Sequence, residues 1–345
     1  MRRSRLSTAL VPTAVAALVL ATAACGTERQ DRERVAAAAT GSPKAPSTAP
    51  TAPSAPARAV STPPPAAELV TGSAHRRVRA QITPENGETV GVGQPLAIVF
   101  KGQRVDPALR AGIEGRLSVR TSPQVTGAWH WAEAKGDTVV HFRPRTYWKP
   151  GTKVSLDARL ERVRLTGGAA GAADRRVSFT IGESMVSTVD LKAHTMTVVR
   201  GGEPVRTIPI SGGEERFKTR DGIKTILSKD GRVIMDSRTI GIPRNSPDGY
   251  YDAYDWSMRE TISGEYIHAA PDNAEHFGKR NVSHGCIGMS ETDAKWLYEL
   301  SRKGDVVQVV GSAGKPMDTF GNGYGDWNLS WEQWLKGSAT GERVG

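Results

Sequence analysis

Cysteine is nearly absent: Cys25 and Cys286 are the only two in a chain of 345 residues. So few thiols exclude a disulfide-dense scaffold. There is no Cys-x-x-Cys and no His-Glu-x-x-His, so the common zinc spacings are missing too. Aromatics make up 6% of the chain and are not interleaved with a dense Lys/Arg run. That argues against nucleic acid as the partner, despite a formal charge of +10. Dispersed, solvated charge accounts for the balance, although a basic surface also suits anionic lipid or an acidic polymer such as cell wall. No acid precedes Glu28, and the apolar run Ala9 to Leu20 is interrupted by Pro12. That run is short for a permanent transmembrane helix.

What the N-terminus does have is the layout of an export signal. Residues 1–25 run from Arg2, Arg3 and Arg5 through the apolar stretch to small residues. An ordinary cut after Ala21-Thr22-Ala23 is one reading. The other takes "TAAC" as a lipobox, with Cys25 lipidated and the protein held as a lipoprotein on the outer face of the cytoplasmic membrane, against the cell wall. The usual lipobox Leu is Thr22 here. Residues 26–76 are rich in Ala, Pro, Thr and Ser and offer few apolar anchors. Such a stretch buries too little surface to offset chain entropy, and reads as a disordered, Pro-stiffened tether.

The remainder reads as mainly β. Over 77–181, "TKVSLDARL" puts Val154, Leu156, Ala158 and Leu160 on one face, with Ser155, Asp157 and Arg159 on the other. That is the period of a half-buried strand. "TVVHF" and "RVSFTI" alternate likewise, and "ENG", "KPG" and "TGG" mark turns. Short strands at this spacing predict an immunoglobulin-like β-sandwich without the antibody disulfide. Trp129, Trp131, Tyr147 and Trp148 are expected to pack; a sugar-stacking surface is the sharper alternative. Over 182–311, strands "SMVSTVDL", "TMTVVR", "PVRTIPIS" and "DVVQVVG" surround one helix, "SETDAKWLYELSRKG". Ser290 with Asp293 suggests its N-cap, Ala294, Leu297 and Leu300 its buried stripe, and Gly304 its end. In the tail, 312–345, Ser330 and Gln333 form a capping-box pattern, and Trp327, Trp331 and Trp334 share one helical face. The tail is expected to pack on the preceding domain.

Cys286 sits in "RNVSHGCIGMS", two residues after His284 and following Gly285. The common fate of a free cysteine is a buried structural thiol. Three features oppose it here. An unpaired thiol is an oxidation liability in an exported protein. His284 and His268 supply candidate bases for a thiolate nucleophile. Gly285 lets the backbone take positive φ and turn N–H groups toward an oxyanion. Acyl transfer is therefore the stronger reading. A zinc site built from His268, His276, His284 and Cys286 is the rival, and the histidines' spacing by eights does not favour it. His276 alone reads as a surface loop residue.

The stretch "IHAAPDNAEHFGKRNVSHGCIGMSETDAKWLYELSRKGDVVQVV" resembles the catalytic core of the bacterial L,D-transpeptidases, the YkuD-type family. Their motif is a His, a loop, then Ser/Thr-His-Gly-Cys, an aliphatic residue and Asn. "MDSRTIGIPRNSPDGYYDAYDW" resembles the lid and cleft of the actinobacterial branch, and the order of anchor, tether, immunoglobulin-like domain, catalytic domain and Trp-rich tail fits as well. The resemblance covers about residues 77–345. It implies Cys286 as nucleophile, His268 as base and the Ala269 carbonyl as the group that orients His268. His284 and the Gly285–Cys286 backbone would line the oxyanion site. Met235, Tyr250, Ser263, Gly264, Asn281 and Ser283 would match cleft positions. The family Asn is Gly288 here, so a side-chain contact to substrate is missing at that point.

The implied reaction joins third residue to third residue between two tetrapeptide stems of peptidoglycan, through a thioester and without metal or organic cofactor. Carbapenem-type β-lactams are the implied inhibitors. Two rivals stand beside it. One is an L,D-carboxypeptidase that hydrolyses the same donor stem; the other is a non-catalytic wall-binding lipoprotein.

Overall fold

The computed structural model describes residues 65–345; Cys25, the leader and most of the expected tether lie outside them. The expected β architecture is present in two parts. In the first, a five-stranded sheet runs Gln81–Thr83, Leu96–Phe100, Asp137–Pro144, Thr126–Ala134, Arg343–Val344. A four-stranded sheet runs Thr89–Val90, Arg175–Ile181, Lys153–Ala158, Leu117–Ser122. The alternation in "TKVSLDARL" is what places Val154, Leu156 and Ala158 inside. Leu160, just past the strand, is also buried. Trp129, Trp131 and Trp148 are buried in the same core, so these aromatics pack and do not form a sugar platform.

Folded chain begins before residue 77. Leu69 bridges Val163, and Arg76–Val78 pairs in parallel with Ala169–Gly171.

The second part pairs Glu203–Pro209, Thr195–Arg200, Met185–Asp190, Val306–Val310 and Gly222–Thr225 in one sheet. A second sheet runs Ser228–Asp236, Tyr251–Arg259, Tyr266–Ala269, Ile287–Met289. Helix Glu291–Leu300 packs on this second sheet with Ala294 and Leu297 fully buried. Ser290 caps it through the Asp293 N–H, as expected. Gly304 does not end it. The helix stops at Leu300, because Ser301 turns extended and its hydroxyl donates to the Leu297 carbonyl. Gly304 instead takes positive φ in the turn before Val306–Val310.

That turn lies against the first part. The Gly91 and Gly93 N–H groups donate to the Lys303 and Gly304 carbonyls at 2.8 and 2.9 Å. A Cβ on Gly91 would fall 2.2 Å from the Asp305 nitrogen, so only glycine permits the approach.

The tail corrects an expectation. It does not pack on the catalytic part alone but wraps the first sandwich. Arg343–Val344 adds a strand to Thr126–Ala134, covering an edge that would otherwise be open. Trp327, Trp331 and Trp334 converge on the Arg143 guanidinium at 4.6, 5.5 and 4.3 Å. Trp334 is fully buried and donates to the Ala128 carbonyl. His141 pairs with the buried Asp326 at 2.8 Å. Cation–π contact and apolar burial favour this seat over an exposed helix. The tail also reaches the second part, where Asn328 bonds both main-chain groups of Ile223.

Candidate active site

The strand Tyr266–Ala269 pairs in parallel with Ile287–Met289, so His268 stands opposite Gly288 and beside the entrance that Cys286 occupies. The thiol is half-buried, and Sγ donates to the Gly264 carbonyl at 3.6 Å.

His268 Nδ1 lies 2.8 Å from the Ala269 carbonyl. A carbonyl only accepts, so Nδ1 carries the proton and Nε2 keeps its lone pair. Burial pushes the imidazole down to about 4, and the Ala269 bond opposes this only in part. The ring is neutral at pH 7 and ready to accept a proton. Tyr254 packs on it at 4.3 Å between centroids. Burial, Glu265 and Glu260 together push the Cys286 thiol up to about 12, with Lys224 opposing. The resting pair is thus a neutral thiol and a neutral imidazole.

The turn before Cys286 is tightly specified. Gly285 has φ +117°, which side-chain-bearing residues rarely adopt. Ser283 Oγ donates to the Cys286 carbonyl at 2.6 Å and accepts the Gly285 N–H at 3.1 Å. Gly285 N–H is therefore already used. Among the described residues, the Cys286 N–H has no such partner, and it is the backbone donor left for an oxyanion. His284 packs between the tilted rings of Phe217 at 4.4 Å and Tyr250 at 5.0 Å, and its Nε2 is buried without a partner among the described residues.

The remaining expected site residues divide. Gly264 presents its carbonyl to the thiol. Ser263 lies beside it, its N–H donated to Asn322 Oδ1 at 2.8 Å and its hydroxyl paired with Thr261. Tyr250 donates its N–H to Ser237, and burial pushes its phenol up to about 12. Met235 is half-buried on Ser228–Asp236, opposite Asp252. The next residue, Asp236, closes the segment that follows by bonding Arg238 and Arg244, which hold its carboxyl far below the usual range.

At two of the expected substrate positions the protein's own groups come close. The Asn281 side chain is already engaged within the protein. Its oxygen accepts from Gly212 at 2.9 Å and contacts His194, and its nitrogen donates to Leu191. It fastens the loop before Ser283 to the first sheet. At Gly288, a Cβ would aim at Ala270, 3.0 Å away, and at Phe277. His276 bonds Arg280, apart from His268 and Cys286. Among the described residues, no three His, Cys, Asp or Glu side chains are arranged to hold a metal ion.

The sequence reading missed Asn322, which takes the Ser263 N–H through its side chain and the Ile262 N–H through its carbonyl. It also missed Lys224, Glu260 and Glu265, a buried charge cluster beside Gly285. No local pattern marks either.

Fold and site together set the Cys286 thiol beside a strand that carries a neutral imidazole. Residues 184–309 match the family "L,D-transpeptidase catalytic domain", and residues 52–164 match "Bacterial Ig domain". L,D-transpeptidase 1 of Mycobacterium tuberculosis is 37% identical over 67% of this chain and 84% of its own length. L,D-transpeptidase 2 of the same species is 37% identical over 75% of this chain, a match that spans 62% of that relative. Among solved structures, the LD transpeptidase LdtMt1 in complex with imipenem superposes with a TM-score of 0.57 at 35% identity, covering 68% of this chain and 99% of that one. L,D-transpeptidase 3 of M. tuberculosis, solved also with a faropenem-derived adduct, gives 0.55 at 32%, covering 68% of this chain and 97% of the adduct-bearing one. The chain belongs to the L,D-transpeptidase family.

Proposed function

We propose that the protein is a peptidoglycan L,D-transpeptidase with Cys286 as nucleophile. The observation that carries the reading is the His268–Ala269 bond, which leaves Nε2 unprotonated on the strand beside Cys286. His268 takes the thiol proton as Sγ attacks the carbonyl of the third, diamino acid residue of a donor tetrapeptide stem. The Cys286 N–H stabilises the developing oxyanion. The imidazolium then returns the proton to the departing terminal D-alanine, leaving a thioester. The side-chain amine of a second stem attacks this thioester, and the thiol is released. The product is a third-to-third cross-link.

The imipenem and faropenem complexes of the relatives support acylation of Cys286 by carbapenem-type β-lactams. The leader sequence supports a place on the outer face of the cytoplasmic membrane, anchored through Cys25 and in contact with the cell wall.

Mass spectrometry of products from one defined tetrapeptide tests the reaction. A dimer lighter than two substrates by one alanine residue and one water is expected. Tripeptide alone would show hydrolysis instead, an L,D-carboxypeptidase, and unchanged tetrapeptide would overturn both.

A further inference from the structure

Behind Gly285 and Cys286 lies a set of buried charges that the acyl transfer above does not use. Lys224 and Glu260 are fully buried, and Glu265 is 6% exposed. Lys224 Nζ donates to Glu265 Oε2 at 3.0 Å and to Glu260 Oε2 at 3.3 Å. Glu265 Oε1 accepts the Arg220 N–H at 3.0 Å and lies 3.1 Å from the Arg220 guanidinium. Glu260 Oε1 has no partner among the described residues. Buried ion clusters must offset a large desolvation cost and are a weak source of stability. Folding alone therefore gives little reason for this one.

The cluster touches the nucleophile's surroundings at two points. Glu265 directly follows Gly264, whose carbonyl takes the thiol. A Cβ on Gly285 would lie 3.7 Å from both Cγ and Oε1 of Glu265. The carboxylate thus backs the residue before Cys286 and is bonded in sequence to the thiol's acceptor. The hairpin between them is stiff. The Glu265 N–H donates to Thr261 Oγ1 at 2.8 Å, and the Glu265 carbonyl takes the Glu260 N–H at 2.9 Å.

We propose that Glu265 is a positioning residue for Cys286: fixed by Lys224 and Arg220, it holds the Gly264 carbonyl against Sγ and sets a negative charge behind Gly285, so that the thiolate forms only as substrate is attacked. The proposal rests on the reading of Cys286 as nucleophile. The titratable and charged groups around the thiol are His284 in its own turn, His268 on the neighbouring strand Tyr266–Ala269, Tyr250 and Tyr254 from the strand Tyr251–Arg259 and its approach, Glu260 and Glu265 from the hairpin, and Lys224 with Arg220 from the strand Gly222–Thr225 and its approach. His268 is neutral and the tyrosines are protonated at pH 7. That leaves His284, which the variants below do not alter, and the two carboxyl groups set against Lys224 and Arg220. The thiolate is the form that oxidises, so the same charge protects a lone thiol at rest.

The test is iodoacetamide alkylation of Cys286 against pH, read by intact mass on the whole protein. Glu265→Gln keeps the shape and removes the charge. Its alkylation midpoint should fall by about one unit, roughly tenfold faster reaction at pH 7, while Glu265→Asp keeps the wild-type midpoint. A merely structural role would lower the melting temperature and leave the midpoint in place. An unchanged midpoint in folded Glu265→Gln overturns the proposal. Should that variant not fold, the same downward shift is read in Glu260→Gln, and its absence there overturns the proposal equally. Alkylation needs no stem peptide, so its result is separate from the transfer reaction. Failure of wild-type Cys286 to alkylate at any pH would count against the nucleophile itself.

Discussion

The Ala269 carbonyl accepts a hydrogen bond from Nδ1 of its own chain neighbour, His268, at 2.8 Å. A main-chain group thereby fixes the tautomer of the imidazole, and among the described residues no carboxylate partner raises its basicity. Burial, which this bond opposes only in part, keeps the imidazole neutral well into acid.

The first prediction is a pH dependence. The folded pKa of His268, about 4, is below its ordinary 6.5. The unfolded chain therefore binds more protons between those values, and stability is lost as pH falls from 6.5 toward 4. Asp305 opposes this, since burial pushes its carboxyl up to about 7. The difference between wild type and His268→Ala isolates the histidine. Melting temperatures from pH 7 to 4 should fall more steeply in wild type than in the variant. Parallel curves would show that His268 is not held neutral by burial.

Gly288 carries the second. An Asn here, as in the family motif, was expected to add a substrate contact. The backbone is extended and φ is not the obstacle; the obstacle is Ala270, which has no side-chain torsion to yield. Overpacking of this kind costs about 1–3 kcal/mol. Gly288→Ala and Gly288→Asn should both melt lower than wild type, with turnover for Asn no better than for Ala. A faster and equally stable Gly288→Asn would restore the missing-contact idea.

The third concerns the tail. Asn322 accepts the Ser263 N–H beside Gly264, so a tail residue steadies the thiol's acceptor. One hydrogen bond contributes about 0.5–1.5 kcal/mol net. Asn322→Ala should slow acylation by a β-lactam severalfold, while Trp331→Ala, whose contacts are with Arg143 and Glu342, should leave that rate alone. Stopped-flow acylation rates decide it, and equal rates for wild type and Asn322→Ala would remove Asn322 from the account.

The parts of this molecule written locally were legible in the sequence. Val154, Leu156 and Ala158 alternate as a strand must, Ser290 caps its helix three residues from Asp293, and "SHGC" carries its glycine where φ is +117°. What was not legible depends on distant partners. Asn281 looks like any polar loop residue until Leu191, Gly212 and His194 are folded against it. Lys224 alternates like an exposed strand lysine, yet two glutamates, Glu260 and Glu265, arrive from a separate hairpin to bury it. The tail's tryptophans declare a helix face but not Arg143, which lies on another sheet. Gly304 follows a helix at a suitable distance, but Ser301 ends that helix first.

The central claim is a covalent one, that Cys286 carries the acyl group. Intact and peptide mass spectrometry after brief mixing with a defined tetrapeptide or a carbapenem tests it most directly. The account predicts a single adduct on the peptide containing Cys286. In Cys286→Ala that adduct should be absent, with a melting temperature near wild type because the change is small and the thiol makes only a 3.6 Å bond. An adduct on another residue, or product formation by folded Cys286→Ala, would contradict it.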